Sequence, residues 1–151
     1  MAALTYTATD TVNPPRLNHR GVTTVTARYT HNGATSLSAS DLIYMVRVPN
    51  RVMILDGYMT GTCGGDATVW DIGVLSQGTF TDDNLGAALT LSATSALKRF
   101  NGINLPVKIS LSDDASPLST WVILTRTSGT STATASIVLT LSYAPLNVVN
   151  S

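Results

Sequence analysis

The side chains that chemistry would draw on are few in this 151-residue chain: two histidines, one cysteine and nine aspartates, with no glutamate. His19 lies in a proline-rich stretch and His31 in an Asn-Gly turn signal. Neither stands beside a Ser or Cys with a third group to orient it, which an activated nucleophile requires. No nucleophile-elbow motif is present, and both read as solvent or interface histidines. Cys63 has no partner for an intrachain disulfide and no basic neighbour to lower its pKa, so it reads as a small buried thiol. The pairs Asp82-Asp83 and Asp113-Asp114 could bind calcium or divide acid and base roles. They lack EF-hand spacing and any Glu as bidentate ligand, and they read as turn residues. Gly61-Thr62-Cys63-Gly64-Gly65 lacks the trailing Lys-Ser/Thr of a phosphate loop and reads as a hairpin turn. The expectation is a protein with no catalytic, cofactor-binding or metal-ligating residue, and so no enzyme.

Charge narrows the partners. Lys plus Arg and Asp plus Glu both number nine, and charged residues make up 12% of the chain, against a usual ~25%. A neutral chain with scattered aromatics has neither the basic face nor the stacking platform of a nucleic-acid binder. There is no run of 18 apolar residues to span a membrane, and MAALTYTATD is no signal peptide, so synthesis in the cytoplasm is expected. Only Lys98 and Lys108 are lysines. Lys and Glu are the residues depleted at protein interfaces, where Arg and Tyr are enriched. A surface this poor in charge suits burial against partners.

The elements that would carry such a surface are strands. Thr, Val, Ile and Tyr favour extended chain, and helix-forming Glu and Lys are scarce. Leu4, Tyr6 and Ala8 alternate with threonines. Pro14-Pro15 then forbids helix, so residues 1–22 read as an extended arm. Alternation follows at Val22–Tyr29, with a turn at His31-Asn32-Gly33. In Asp41–Val48, Leu42, Tyr44, Val46 and Val48 share one face and Ile43, Met45 and Arg47 the other. Pro49 ends this strand. Arg51–Thr62 carries a bulge or kink at Asp56-Gly57, and Ala67–Leu75 is the next strand. Residues 76–104 fit either a short helix over Leu85–Leu97 or an extended loop. Leu105–Leu111, Trp121–Thr127 and Ala133–Tyr143 alternate again. About eight strands with regular turns predict an all-β antiparallel sandwich or jelly roll. The domains are an arm (1–22), a sandwich (23–143) and a short tail (144–151).

Certain stretches resemble a known family. L-S-A-S-D-L-I-Y-M-V-R-V-P at 37–49, followed by V-M-I-L-D-G at 52–57, is similar to the head decoration (cement) proteins of tailed bacteriophages. T-V-W-D-I-G at 68–73 and the closing I-V-L-T-L-S-Y at 137–143 add to the likeness, which covers residues 35–143 and departs from the family pattern in 76–104. The resemblance implies a jelly-roll subunit on the outer capsid surface of a virion, bridging major capsid protein subunits, with no cofactor and no catalytic residue. It implies self-association as a homotrimer, with a dimer as alternative, and no nucleic-acid or membrane partner. Arg16, Leu17, Asn18 and Arg20 are the expected arm contacts, and Tyr44, Met45 and Arg47 the expected subunit contacts. The competing readings are a tail or fibre domain, a small jelly-roll coat protein, and a carbohydrate-binding jelly roll using Trp70 or Trp121. Both tryptophans lie in predicted strands, where core packing is expected.

Overall fold

The computed structural model describes residues 5–7, 22–37, 41–49, 52–63, 68–76, 79–92, 96–102, 105–109, 120–128 and 132–145. These form ten strands: β1 (Thr5–Thr7), β2 (Thr23–Leu37), β3 (Leu42–Val48), β4 (Val52–Cys63), β5 (Thr68–Ser76), β6 (Thr79–Leu91), β7 (Ala96–Arg99), β8 (Val107–Ile109), β9 (Thr120–Ser128) and β10 (Thr132–Pro145). One sheet has the order β1-β3-β9-β5-β6, and the other β2-β10-β4-β7, with β8 also on β4. Eight strands have four residues or more, four in each sheet, and they pair antiparallel throughout. Successive strands cross between the sheets in the jelly-roll manner, except at β5–β6 and β7–β8, which stay within one sheet. The short β1, from within the expected arm, pairs parallel with β3. The rest of that arm lies outside the described residues.

The second sheet is built around β10. Its odd-numbered side chains Ala135, Ile137, Leu139, Leu141 and Tyr143 are all buried, and its even-numbered ones face outward. This period of two is what a half-buried strand requires. The inward side chains of both sheets meet in one core with Trp70, Ile72, Met59, Ile54 and Leu124 among its largest members. Trp70 is therefore core, as its strand position predicts, and its indole N–H donates to Thr68 Oγ1 at 2.8 Å.

Several local expectations change. His31-Asn32-Gly33 is no turn: β2 runs through it, and His31 pairs with Ala135. His31 is buried, with its Nδ1 2.7 Å from the Tyr29 hydroxyl, so it is not a solvent histidine. Among the described residues of 76–104, β6 and β7 stand where a helix or an extended loop was expected. The register of β6 on β5 shifts twice, between Trp70 and Ile72 and again between Ile72 and Val74. The inward residues Leu85, Leu89 and Leu91 are thus unevenly spaced, and this spacing imitates a helical face. Asp82-Asp83 lies within β6 and not in a turn, and Gly61 lies within β4. Asp113-Asp114 lies outside the described residues. The Asp56-Gly57 bulge is present: Ser142 pairs with Asp56 and Tyr143 with Ile54, leaving Leu55 unopposed.

Candidate functional site

Among the described residues, His31, Asp41 and Cys63 are buried. Cys63 is buried, and desolvation pushes its thiol pKa up, opposed by hydrogen bonding from Thr68 and Trp70 and by the charge of Arg126. A raised pKa makes it a poor nucleophile. Asp71 Oδ1 is used structurally, accepting the Ala88 N–H at 2.9 Å. Among the described residues, no group of three His, Cys, Asp or Glu stands together as metal ligands. The features that remain are surfaces.

The first is the outward face of the β1-β3-β9-β5-β6 sheet. In β9, Val122 and Leu124 enter the core, so Trp121, Ile123 and Thr125 point away from it. In β3 the strict alternation expected from sequence fails at a bulge. Met45 and Val46 are both buried, and the register against β9 shifts between Tyr44 and Val46. That extra residue transfers Arg47 to the face of Tyr44. Tyr44 and Trp121 meet edge-on at 5.2 Å between ring centroids, and the Arg47 guanidinium lies 4.8 Å from the Trp121 ring centre. The half-buried Leu75 pairs with Trp121 on the other side, and Gly73 pairs with Ile123. Ile123 is fully buried although it is no part of the core between the sheets. An Arg stacked on Trp, beside Tyr, is the residue mix of protein-contact hot spots.

The structure thus brings together two of the sequence-picked contact residues, Tyr44 and Arg47. It corrects the third, because Met45 is fully buried in the core and presents no surface. Trp121 is also a correction, since core packing was expected and its indole is half-buried on the outward face. The sequence signal was ambiguous: Trp-Val-Ile-Leu at 121–124 is apolar on both faces. Arg16, Leu17, Asn18, Arg20 and His19 lie outside the described residues.

The second surface is the outward face of the β2-β10-β4-β7 sheet, rich in hydroxyls. Thr24 Oγ1 lies 3.0 Å from Ser142 Oγ, and Thr26 Oγ1 lies 3.1 Å from Thr140 Oγ1. Thr60 and Thr62 continue the field on β4. Tyr58 and Leu97 rise from it, 39% and 58% exposed, beside the exposed Asp56–Arg99 ion pair of 2.8 Å. Such an exposed pair adds little to stability, and neither Tyr58 nor Leu97 was singled out from sequence.

No protein-family model and no characterised sequence matches the chain. Solved structures do. A chain from the capsid of Ralstonia phage GP4 aligns with a TM-score of 0.73 at 17% identity, over 95% of this chain and 99% of that one. A chain from the cyanophage Pam1 capsid asymmetric unit aligns with a TM-score of 0.61 at 14% identity, over 88% and 94% respectively. At these identities the likeness is one of fold.

Proposed function

We propose that this chain is a structural protein of a phage virion, a decoration (cement) subunit that sits on the outer surface of the head and bridges major capsid protein subunits. The observation that carries the reading is the jelly roll's alignment, over nearly the whole of both chains, with a chain of a phage capsid. Fold alone does not assign function, so the surface must agree with it. A net-neutral, lysine-poor chain with a Tyr44–Trp121–Arg47 cluster on an outward sheet face is suited to contact. Such a subunit acts by buried area repeated over a symmetric shell and not by turnover. Its partners are the major capsid protein and further copies of itself, and it engages neither nucleic acid nor membrane.

Sedimentation with shells that lack the subunit tests this. The full chain is expected to co-sediment. Removing residues 1–20 is expected to leave a folded protein that no longer binds. Because that truncation also removes β1, a second variant, R16A/R20A, keeps β1 and is expected to bind at least tenfold more weakly. Truncating Trp121 to Ala is expected to weaken binding by a similar or larger factor, as for a hot-spot residue. Full binding by the truncated chain would remove Arg16, Leu17, Asn18 and Arg20 from the contact. Failure of the full chain to co-sediment would overturn the decoration role.

A further inference from the structure

Two side chains hold β6 where its ladder with β5 is interrupted. Trp70 pairs with Leu89 and Ile72 with Gly86, so Asp71 alone stands opposite both Ala87 and Ala88, which is a bulge. Ala88 takes the left-handed conformation there, at φ 55°. Asp71 Oδ1 accepts the Ala88 N–H at 2.9 Å. Asn101, in the segment after β7, serves Ala87: its Oδ1 accepts the Ala87 N–H at 2.8 Å, and its Nδ2 donates to the Ala87 carbonyl at 3.0 Å. The neighbours of Asn101 tie the same segment to both sheets. The Phe100 N–H donates to the Gly57 carbonyl of β4 at 2.9 Å, and the Gly102 N–H to the Leu85 carbonyl of β6 at 3.0 Å. Residues 100–102 thus fasten β6 of one sheet to β4 of the other.

The same three residues contain a reactive pair. In Asn-Gly the glycine nitrogen can attack the asparagine side-chain carbonyl carbon, because no glycine side chain screens it. The chain has two such pairs, Asn32-Gly33 and Asn101-Gly102. Packing leaves no alternative to glycine at 102, where a Cβ would collide with the Asn84 carbonyl. We propose that Asn101 is a deamidation site whose reaction waits on opening of the β6 bulge. In the closed state both reacting groups are engaged, the Gly102 N–H on Leu85 and the carboxamide on Ala87. Neither can turn into the geometry of attack. When residues 100–102 lift from β6, the Gly102 nitrogen gives up its proton and bonds to Asn101 Cγ. The Cγ–Nδ2 bond breaks, and ammonia leaves with that proton. Water then opens the succinimide to aspartate or isoaspartate. Either product carries a carboxylate, which only accepts, where Nδ2 was a donor. The Ala87 carbonyl then faces an anion, and the segment does not reclose as before. The modification is one-way and loosens the bulge that had restrained it. The inference stands on this junction alone and does not depend on the virion reading.

Peptide mass spectrometry of the full chain, incubated at neutral pH, reads the acid form at residue 101, with Asn32 as the reference site in urea. The folded protein is expected to react at Asn101 at least about tenfold more slowly than the protein in urea, because only the opened fraction reacts. Asp71→Ala frees the Ala88 N–H and is expected to speed the reaction of the folded protein severalfold, with thermal melts to verify the fold. Ala88→Gly removes the strain of a Cβ at positive φ and is expected to slow it. Should Asp71→Ala fail to fold, Ala88→Gly decides alone. Asn101→Asp, one product of the reaction, is expected to melt below wild type. Equal rates for the folded protein and the protein in urea overturn the proposal. So do folded-state rates that neither bulge variant moves, or an Asn101→Asp protein as stable as wild type.

Discussion

Tyr143 closes the inward row of β10 and is fully buried, yet its hydroxyl has no hydrogen-bond partner among the described residues. A buried polar group left unsatisfied costs stability, so Tyr143→Phe is expected to leave the fold unharmed and raise its stability by up to about 1 kcal/mol, measured by urea denaturation. The same hydroxyl gives a pH signature. Burial raises the phenol pKa, as it raises that of Cys63. Both groups are neutral when protonated. As pH rises through their ordinary values, about 8.5 for the thiol and about 10 for the phenol, the unfolded chain releases its protons first. The native state then holds more protons, and stability falls with pH from the ordinary pKa up to the raised one. The melting temperature is expected to fall in the alkaline range. The later part of that fall, above about pH 10, is expected to shrink in Tyr143→Phe. An identical alkaline slope in the two proteins would assign the loss to other groups.

At the scale of the element, bulges govern which side chains are presented. In β4 the unopposed Leu55 changes the strand's parity, so that Ile54 and Gly57 both face inward. Phe100 fills the room at Gly57: its N–H donates to the Gly57 carbonyl at 2.9 Å. A Cβ at 57 would stand 2.5 Å from the Phe100 ring and 2.6 Å from the Thr140 carbonyl oxygen. Gly57→Ala is expected to cost about 1–3 kcal/mol and Phe100→Ala about 3–5 kcal/mol. Removing the ring relieves half of the clash, so the double variant is expected to lose less than the sum in denaturant titrations. Strict additivity would show that the ring moves aside freely. Asp56-Gly57 announced this bulge in the sequence because Gly in mid-strand has few other uses. The bulge at Met45 had no such mark, and the face assignment of Arg47 failed there. β6 was hidden for the same reason, because its two register shifts are imposed by β5 and leave a leucine spacing that a local reading takes for helix. The regular alternation of β10, by contrast, was fully legible, and with it the sandwich. Bulges depend on which strand lies alongside, and that pairing joins residues as distant in sequence as Thr23 and Tyr143. The aromatic cluster was half legible as a surface feature: Tyr44 and Arg47 could be picked as outward candidates, but Trp121 could not be told from a core residue within a run of four apolar side chains.

For the whole molecule, the Tyr44–Trp121–Arg47 cluster and the exposed Tyr58 and Leu97 lie on the outward faces of different sheets, and this separation gives the decoration proposal a direction that can be tested. In the proposed assembly the Trp121 face meets the shell. Trp121→Ala alters that face and leaves the β2-β10-β4-β7 sheet intact, so shell binding is expected to fall while thermal melts verify the fold. The double variant Tyr58→Ala/Leu97→Ala strips apolar surface from the opposite face and is expected to bind purified shells as wild type does. Such subunits act as many copies on one shell, so a weaker single contact is multiplied over the array and shows most clearly in isotherms at low occupancy. Loss of binding in the Tyr58/Leu97 variant, with full binding by Trp121→Ala, would place the shell contact on the other sheet, and the assignment of the aromatic cluster to the shell would fall.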